Sequence, residues 1–195
     1  ILYEEEVESM EKIAILADSG CQIPVDSREN EGIFIAPLTI TMEGKSYLDD
    51  IEIHSIDVFK RMEKDDIMVM TSQPSTGSLQ EAVQKIKDQG YSHVIGLPIA
   101  TGLSSTMNGM KLACDMLEMP VTLVDTKGTA SNQKYLVEVA AKLAREGKSP
   151  EEIKDILEKL VEDSATIIMV PNLEHLKKGG RITPVSYTHL RAHET

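Results

Sequence analysis

The sequence predicts an α/β protein: a Rossmann-like parallel sheet flanked by helices over residues 10–164, then the start of a second α/β domain, truncated, over 165–184. Two patterns carry this expectation. Short, continuously apolar runs such as "KIAILA" (12–17) and "SHVIGLPIA" (92–100) read as strands covered on both faces, as parallel sheets require. Between such runs lie segments with a 3.6-residue apolar period, clearest in "SNQKYLVEVAAKLAREG" (131–147). Alternation of the two implies βαβ units with right-handed crossovers.

The elements follow in order. After the first strand comes an Asp18-Ser19-Gly20 turn, then an extended run over 33–42 with "EGKSY" (43–47) as a turn. Residues 55–64 read as a helix with Ser55 as N-cap. "IMVMTS" (67–72) is apolar but short, either a strand or a lead-in to the loop behind it. A helix over about 76–89 ends at Gly90, the left-handed residue that commonly closes a helix. The 92–100 strand leads to a helix over 104–117, and 120–126 is the next strand. After the helix of 131–147, Ser149, Pro150 and Glu152 spell a capping box with proline at the first helical position, opening a helix that runs to 164. "ATIIMVP" (165–171) predicts a strand and "NLEHLKKGG" (172–180) a short helix closed by glycines.

Composition narrows the function classes. Of the 195 residues, 41% are hydrophobic and 27% charged, a globular balance. The net charge of −12 argues against nucleic acid and anionic membrane as general partners, and an aromatic content of 4% without Trp leaves no stacking platforms for single strands. Cys21 and Cys114 stand far apart, outside any CxxC spacing, and read as two reduced thiols. No apolar run is long enough for a membrane span and no signal peptide is visible, so the expectation is a cytoplasmic protein without stable membrane insertion. Met10 reads as the natural start, with residues 1–9 an upstream extension. At the other end, "VSYTHLRAHET" (185–195) resembles the translation of sequencing-adapter read-through. Its His189 and His193, although four apart, are therefore set aside as metal ligands, and the chain reads as a fragment lacking what should follow residue 184.

In open α/β sheets ligands bind beyond the carboxyl ends of the strands. That rule selects the loops 18–22, 71–76, 100–106 and 125–131, all rich in Ser, Thr, Gly or Asp. In "TSQPSTGSLQEA" (71–82) a helix cap accounts for Ser75 or Ser78, but not for Thr71 and Ser72 upstream. A helix start with surplus hydroxyls can instead hold an anion. "ATGLSSTMNG" (100–109) repeats the arrangement with Ser104, Ser105 and Thr106, and two such loops on neighbouring strands would bring their hydroxyls together. Neither loop is a phosphate-binding GK[ST] or GxGxxG motif. No GxSxG elbow exists, His93 sits in a strand pattern, and His54 and His175 have nothing near in sequence to orient them. The basic run "LKKGGRI" (176–182) offers Lys177, Lys178 and Arg181 either to a helix C-terminus or to a phosphate or acidic partner.

Taken together, "AILADSG", "TSQPSTGSLQEA", "ATGLSSTMNGMKLA", "VTLVDTKGTAS" and "NLEHLKKGGRIT", in this order, resemble the DegV family of bacterial fatty-acid-binding proteins over nearly all of residues 12–184. The resemblance implies two α/β domains with an acyl chain in a tunnel between them. It implies a non-catalytic carrier that presents a long-chain fatty acid to a fatty acid kinase, with no further cofactor and no metal. Residue by residue, it places Thr71 and Ser104 on the carboxylate, with Ser72 and Ser105 nearby. Asp18 and Ser19 line the same region, and Arg181 with Lys177 and Lys178 serves the head group or the kinase partner. The chain departs from the family pattern at Ser105-Thr106 and at Asn132 and Lys134. The chemistry is coherent: neutral hydroxyls replace the hydration of a carboxylate beside an apolar tunnel, and with no strong cation clamping it the carboxylate stays nucleophilic. The competing expectation is an enzyme acting on a small phosphorylated or carboxylated metabolite at the same loops, which would need a short polar pocket and a titratable base.

Overall fold

The computed structural model describes residues 11–65, 67–169 and 173–183. The expected extension 1–9 and tail 185–195, with His189 and His193, lie outside the described residues. Among the described residues seven strands and six α-helices follow one another, besides two single-turn 3-10 helices at Ser19–Cys21 and Glu29–Glu31: β1 (Ile13–Asp18), β2 (Ile33–Ala36), β3 (Thr39–Met42), β4 (Lys45–Leu48), α1 (Ser55–Asp65), β5 (Val69–Ser72), α2 (Thr76–Asp88), β6 (His93–Leu97), α3 (Thr106–Met116), β7 (Val121–Leu123), α4 (Ala130–Arg145), α5 (Pro150–Glu162) and α6 (Glu174–Lys178).

Four strands form a parallel sheet in the order β2-β1-β6-β7. All six residues of β1 are buried, which explains its unbroken apolar run. The period of two then divides its side chains between two layers. Ile13, Ile15 and Ala17 join Ile33, Ile35, Ile95 and Leu97 under α4 and α5, packed on Leu136, Val137, Ile153 and Leu157. Ala14 and Leu16 join Phe34 and Val94 under α2 and α3, against Leu79, Val83, Ile86 and Met110. The expected capping box is formed, with Ser149 Oγ accepting from Glu152 N and the Glu152 carboxylate accepting from Ser149 N. Gly90 and Gly147 stand just past α2 and α4 at φ 76° and 80°.

The second sheet was not foreseen as such. β4, β3 and β5 form a separate antiparallel sheet in the order β4-β3-β5, under which α1 buries Val58 beside Ile40, Met42 and Ile53. The run 33–42 is therefore two strands in two sheets. Pro37 parts them, because a proline has no N–H to give a ladder. Within the expected turn 43–47 only Glu43 and Gly44 turn; both have positive φ (50° and 76°), as a two-residue hairpin loop favours, and Lys45–Leu48 is strand. Within the 67–72 run Val69–Ser72 is a strand, and it belongs to the small sheet. Ser55 is the first residue of α1 rather than its cap, since the carbonyl of His54 accepts from Asp57 N and Val58 N. Residues 165–169, expected as a strand, pair with no described strand, and Ile167 and Met169 are 94% and 92% exposed.

Candidate functional site

Two of the four selected loops meet. Strand β5, which carries Thr71 and Ser72, and the loop behind β6 both line a pocket of about 260 Å³, together with the end of α6 and the turn after it. Thr71, Ser72, Ser104 and Arg181 supply its polar groups, and Leu38, Val69, Met70, Ile99, Leu103 and Leu176 its apolar wall. The hydroxyl clusters are thus brought together as expected, but from two different sheets rather than from neighbouring strands.

The crowded "TSQPSTGS" separates into two roles. Ser75 is the N-cap of α2, its Oγ accepting from Ser78 N at 3.0 Å and sharing a proton with Ser78 Oγ at 2.9 Å. Thr71 and Ser72, not needed by the cap, line the pocket. In the other loop Ser105 occupies the cap position of α3 without making a side-chain cap bond. Ser104 Oγ accepts from Thr106 N at 3.3 Å and lies 2.8 Å from Thr106 Oγ1. Ser105 does not line the pocket.

Arg181 closes one side. Its guanidinium donates to the Thr71 carbonyl at 2.7 Å, to Thr71 Oγ1 at 3.3 Å and to the Gly179 carbonyl at 2.7 Å. The expectation of hydroxyls without a cation beside them is corrected here: a permanent positive charge touches the Thr71 hydroxyl. Because Oγ1 accepts from Arg181, its own proton is left to donate. Lys177 and Lys178 end α6 with their side chains exposed and outside the pocket lining. No Asp, Glu, His or Lys is among the described lining residues.

Asp18 and Ser19 stand one layer behind. The Asp18 carboxylate is fully buried and accepts from Gly20 N at 3.0 Å, Ile99 N at 2.8 Å and Gln133 Nε2 at 3.2 Å. Burial raises its pKa above the ordinary carboxylate range, opposed by those three N–H bonds. Ser19 Oγ donates to Asp49 Oδ2 at 2.7 Å and accepts from Leu38 N at 3.0 Å. Ser19 also borders a separate cleft of about 420 Å³ lined by Gly20, Asp49, Asp50, Ser55 and Thr129. A Cβ on Gly20 would lie 2.7 Å from Asp18 Oδ1, so a side chain there would displace the carboxylate that Gly20 N bonds. In the fourth loop Thr126 Oγ1 donates to the Pro98 carbonyl at 2.8 Å, and Asp125 accepts from Thr101 and from Lys127 N. Both hold the 98–101 loop rather than face the pocket. His93 is a strand residue, its Nε2 2.9 Å from Thr122 Oγ1, and His54 pairs with Asp50. The described residues contain no group of three or more His, Cys, Asp or Glu able to hold a metal ion. Gln133 escaped sequence reasoning altogether, since a Gln on an amphipathic helix looks like any solvated residue, yet it is fully buried against Asp18.

The model of a family described as "Uncharacterised protein, DegV family" matches residues 12–193. The chain belongs to the DegV family. A DegV domain-containing protein of Staphylococcus aureus (strain N315) is 33% identical over 174 residues, covering 89% of this chain and 62% of its own. Among solved structures, a DegV family protein from Thermus thermophilus, described by its fatty acid binding, is 30% identical with a TM-score of 0.76 over 94% of this chain and 65% of its own. DegV of Bacillus subtilis, described as a fatty acid binding protein, is 27% identical with a TM-score of 0.78, over 95% and 65%. The chain therefore spans just under two thirds of the relatives it matches. No helix among the described residues is long and apolar enough to cross a membrane.

Proposed function

We propose that this chain is the part of a cytoplasmic, non-catalytic fatty-acid carrier that holds the ligand's carboxylate, and that the complete protein presents the acid to a fatty acid kinase. Residues from 165 onward begin the second domain in this reading. The observation that carries it is the pocket itself: the hydroxyls of Thr71, Ser72 and Ser104 and the Arg181 guanidinium share one lining with six apolar side chains, with no Asp, Glu, His or Lys among the described lining residues. A carboxylate entering such a site exchanges water for donors that are already in place, and burial of its chain adds about 0.8 kcal/mol per CH₂. Fatty acid binding by the Thermus and Bacillus relatives supports the same assignment. Lys177 and Lys178, exposed beside Arg181, are the candidates for contact with the kinase. Native mass spectrometry of the purified protein, followed by extraction into organic solvent, tests the ligand class. A co-purifying fatty acid is the expected result. A polar phosphorylated metabolite in its place would transfer the site to the competing enzyme reading.

A further inference from the structure

Two of the pocket's six apolar lining residues, Leu38 and Ile99, occupy equivalent positions in the chain. β2 ends at Ala36 and is followed by Pro37 and Leu38; β6 ends at Leu97 and is followed by Pro98 and Ile99. These strands flank β1 on either side. Each proline is buried and has no N–H, so the first peptide N–H beyond each strand is that of Leu38 or Ile99. Neither is bonded to a backbone carbonyl. Leu38 N donates to Ser19 Oγ and Ile99 N to Asp18 Oδ2, consecutive residues at the end of the central strand. The holder is itself held: Ser19 donates to Asp49, and Gln133 Nε2 bridges Asp18 Oδ1 and the Leu97 carbonyl at 3.0 Å.

We propose that Asp18 and Ser19 are positioning residues of the carboxylate pocket: reaching sideways from β1, they fix the peptides that follow Pro37 and Pro98 and so set the separation of Leu38 and Ile99. With these two side chains fixed, the part of the pocket they line accepts an unbranched chain and rejects a substituent on the carbon next to the carboxylate. The specificity part rests on the fatty-acid reading above; the clamp itself does not.

The test uses Ser19→Ala, with Ser19→Thr as the conservative control, because Thr keeps the hydroxyl. Amide hydrogen exchange needs no ligand: Leu38 exchanges roughly tenfold faster in Ser19→Ala than in wild type, and Ser19→Thr restores it. Affinities are then compared for hexadecanoic and 2-methylhexadecanoic acid, where Ser19→Ala lowers the preference for the unbranched acid by about fivefold. Asp18→Asn, read at the Ile99 amide, is the second variant. An unchanged Leu38 amide overturns the clamp. A faster Leu38 amide with an unchanged preference overturns the claim that the clamp sets this part of the pocket. If wild type binds neither acid, the fatty-acid reading fails, and the Leu38 amide alone decides the clamp.

Discussion

Thr71→Val isolates one hydroxyl with little else disturbed. Valine keeps the branched shape and suits the strand position opposite Ile40, and because Thr71 is exposed the change in stability stays within about 0.5 kcal/mol. What disappears is an O–H whose oxygen already accepts from Arg181, so its proton is polarised toward whatever occupies the pocket. A hydrogen bond to a charged group contributes about 1.5–3 kcal/mol. The pocket is partly open to solvent, which places the effect near the lower end, about 1.5–2 kcal/mol, or roughly 12- to 30-fold in Kd. The assay is displacement of a fluorescent fatty acid by hexadecanoate and, separately, by hexadecanol. Hexadecanoate weakens by the stated factor while the uncharged alcohol changes much less. Hexadecanoate affinity within twofold of wild type refutes the placement of the carboxylate at Thr71, and an equal loss for acid and alcohol shows that the residue touches only the chain.

Three other outcomes follow from the geometry. Arg181→Gln removes the permanent charge, so hexadecanoate binding weakens and loses most of the salt dependence that wild type shows between 0.05 and 0.5 M salt, about, by titration at each ionic strength. Burial pushes the Cys21 thiol up to about 12 and the Cys114 thiol up to about 11, so neither reacts with a thiol reagent at neutral pH until the protein is unfolded, as a colorimetric thiol count with and without denaturant will show. Because the folded pKa of Asp18 lies above its ordinary 3.8, its contribution to stability is fully present below that value and is lost as pH rises through the folded pKa. Melting curves of wild type and Asp18→Asn therefore differ in their pH dependence over that window, and parallel curves contradict a raised Asp18 pKa.

What could be read from the sequence was whatever is encoded locally. The unbroken apolar runs gave the parallel strands, and Ser149-Pro150-Glu152 gave a helix start that the structure reproduces in both bonds. Surplus hydroxyls in "TSQPS" pointed to Thr71 and Ser72, which do line a pocket with Ser104 and Arg181. The small sheet was hidden because its signal is a single proline inside an otherwise extended run, and because strands of four residues carry too few side chains to show a period. Asp18 and Ser19 have side chains that suit a ligand or a backbone N–H equally well. Only the sheet order, which sets β1 between β2 and β6, shows the backbone N–H groups they serve.

The division of the pocket between two sheets has a thermodynamic consequence. Thr71 and Ser72 ride on the small sheet, whose described core is Ile40, Met42, Ile53 and Val58, whereas Ser104 hangs from the extensively buried parallel sheet. Segments with so little buried surface open at lower free energy than the body they rest on. A ligand gripped from both sides would be bound fully only when the two are in register, so its binding energy would add least to the extensively buried β1 and β6 and most to β3, β4 and β5. Under the proposed function, an occupied pocket would therefore level the stability of the two sheets, a difference that a partner touching the small sheet would be able to sense without reaching the ligand itself.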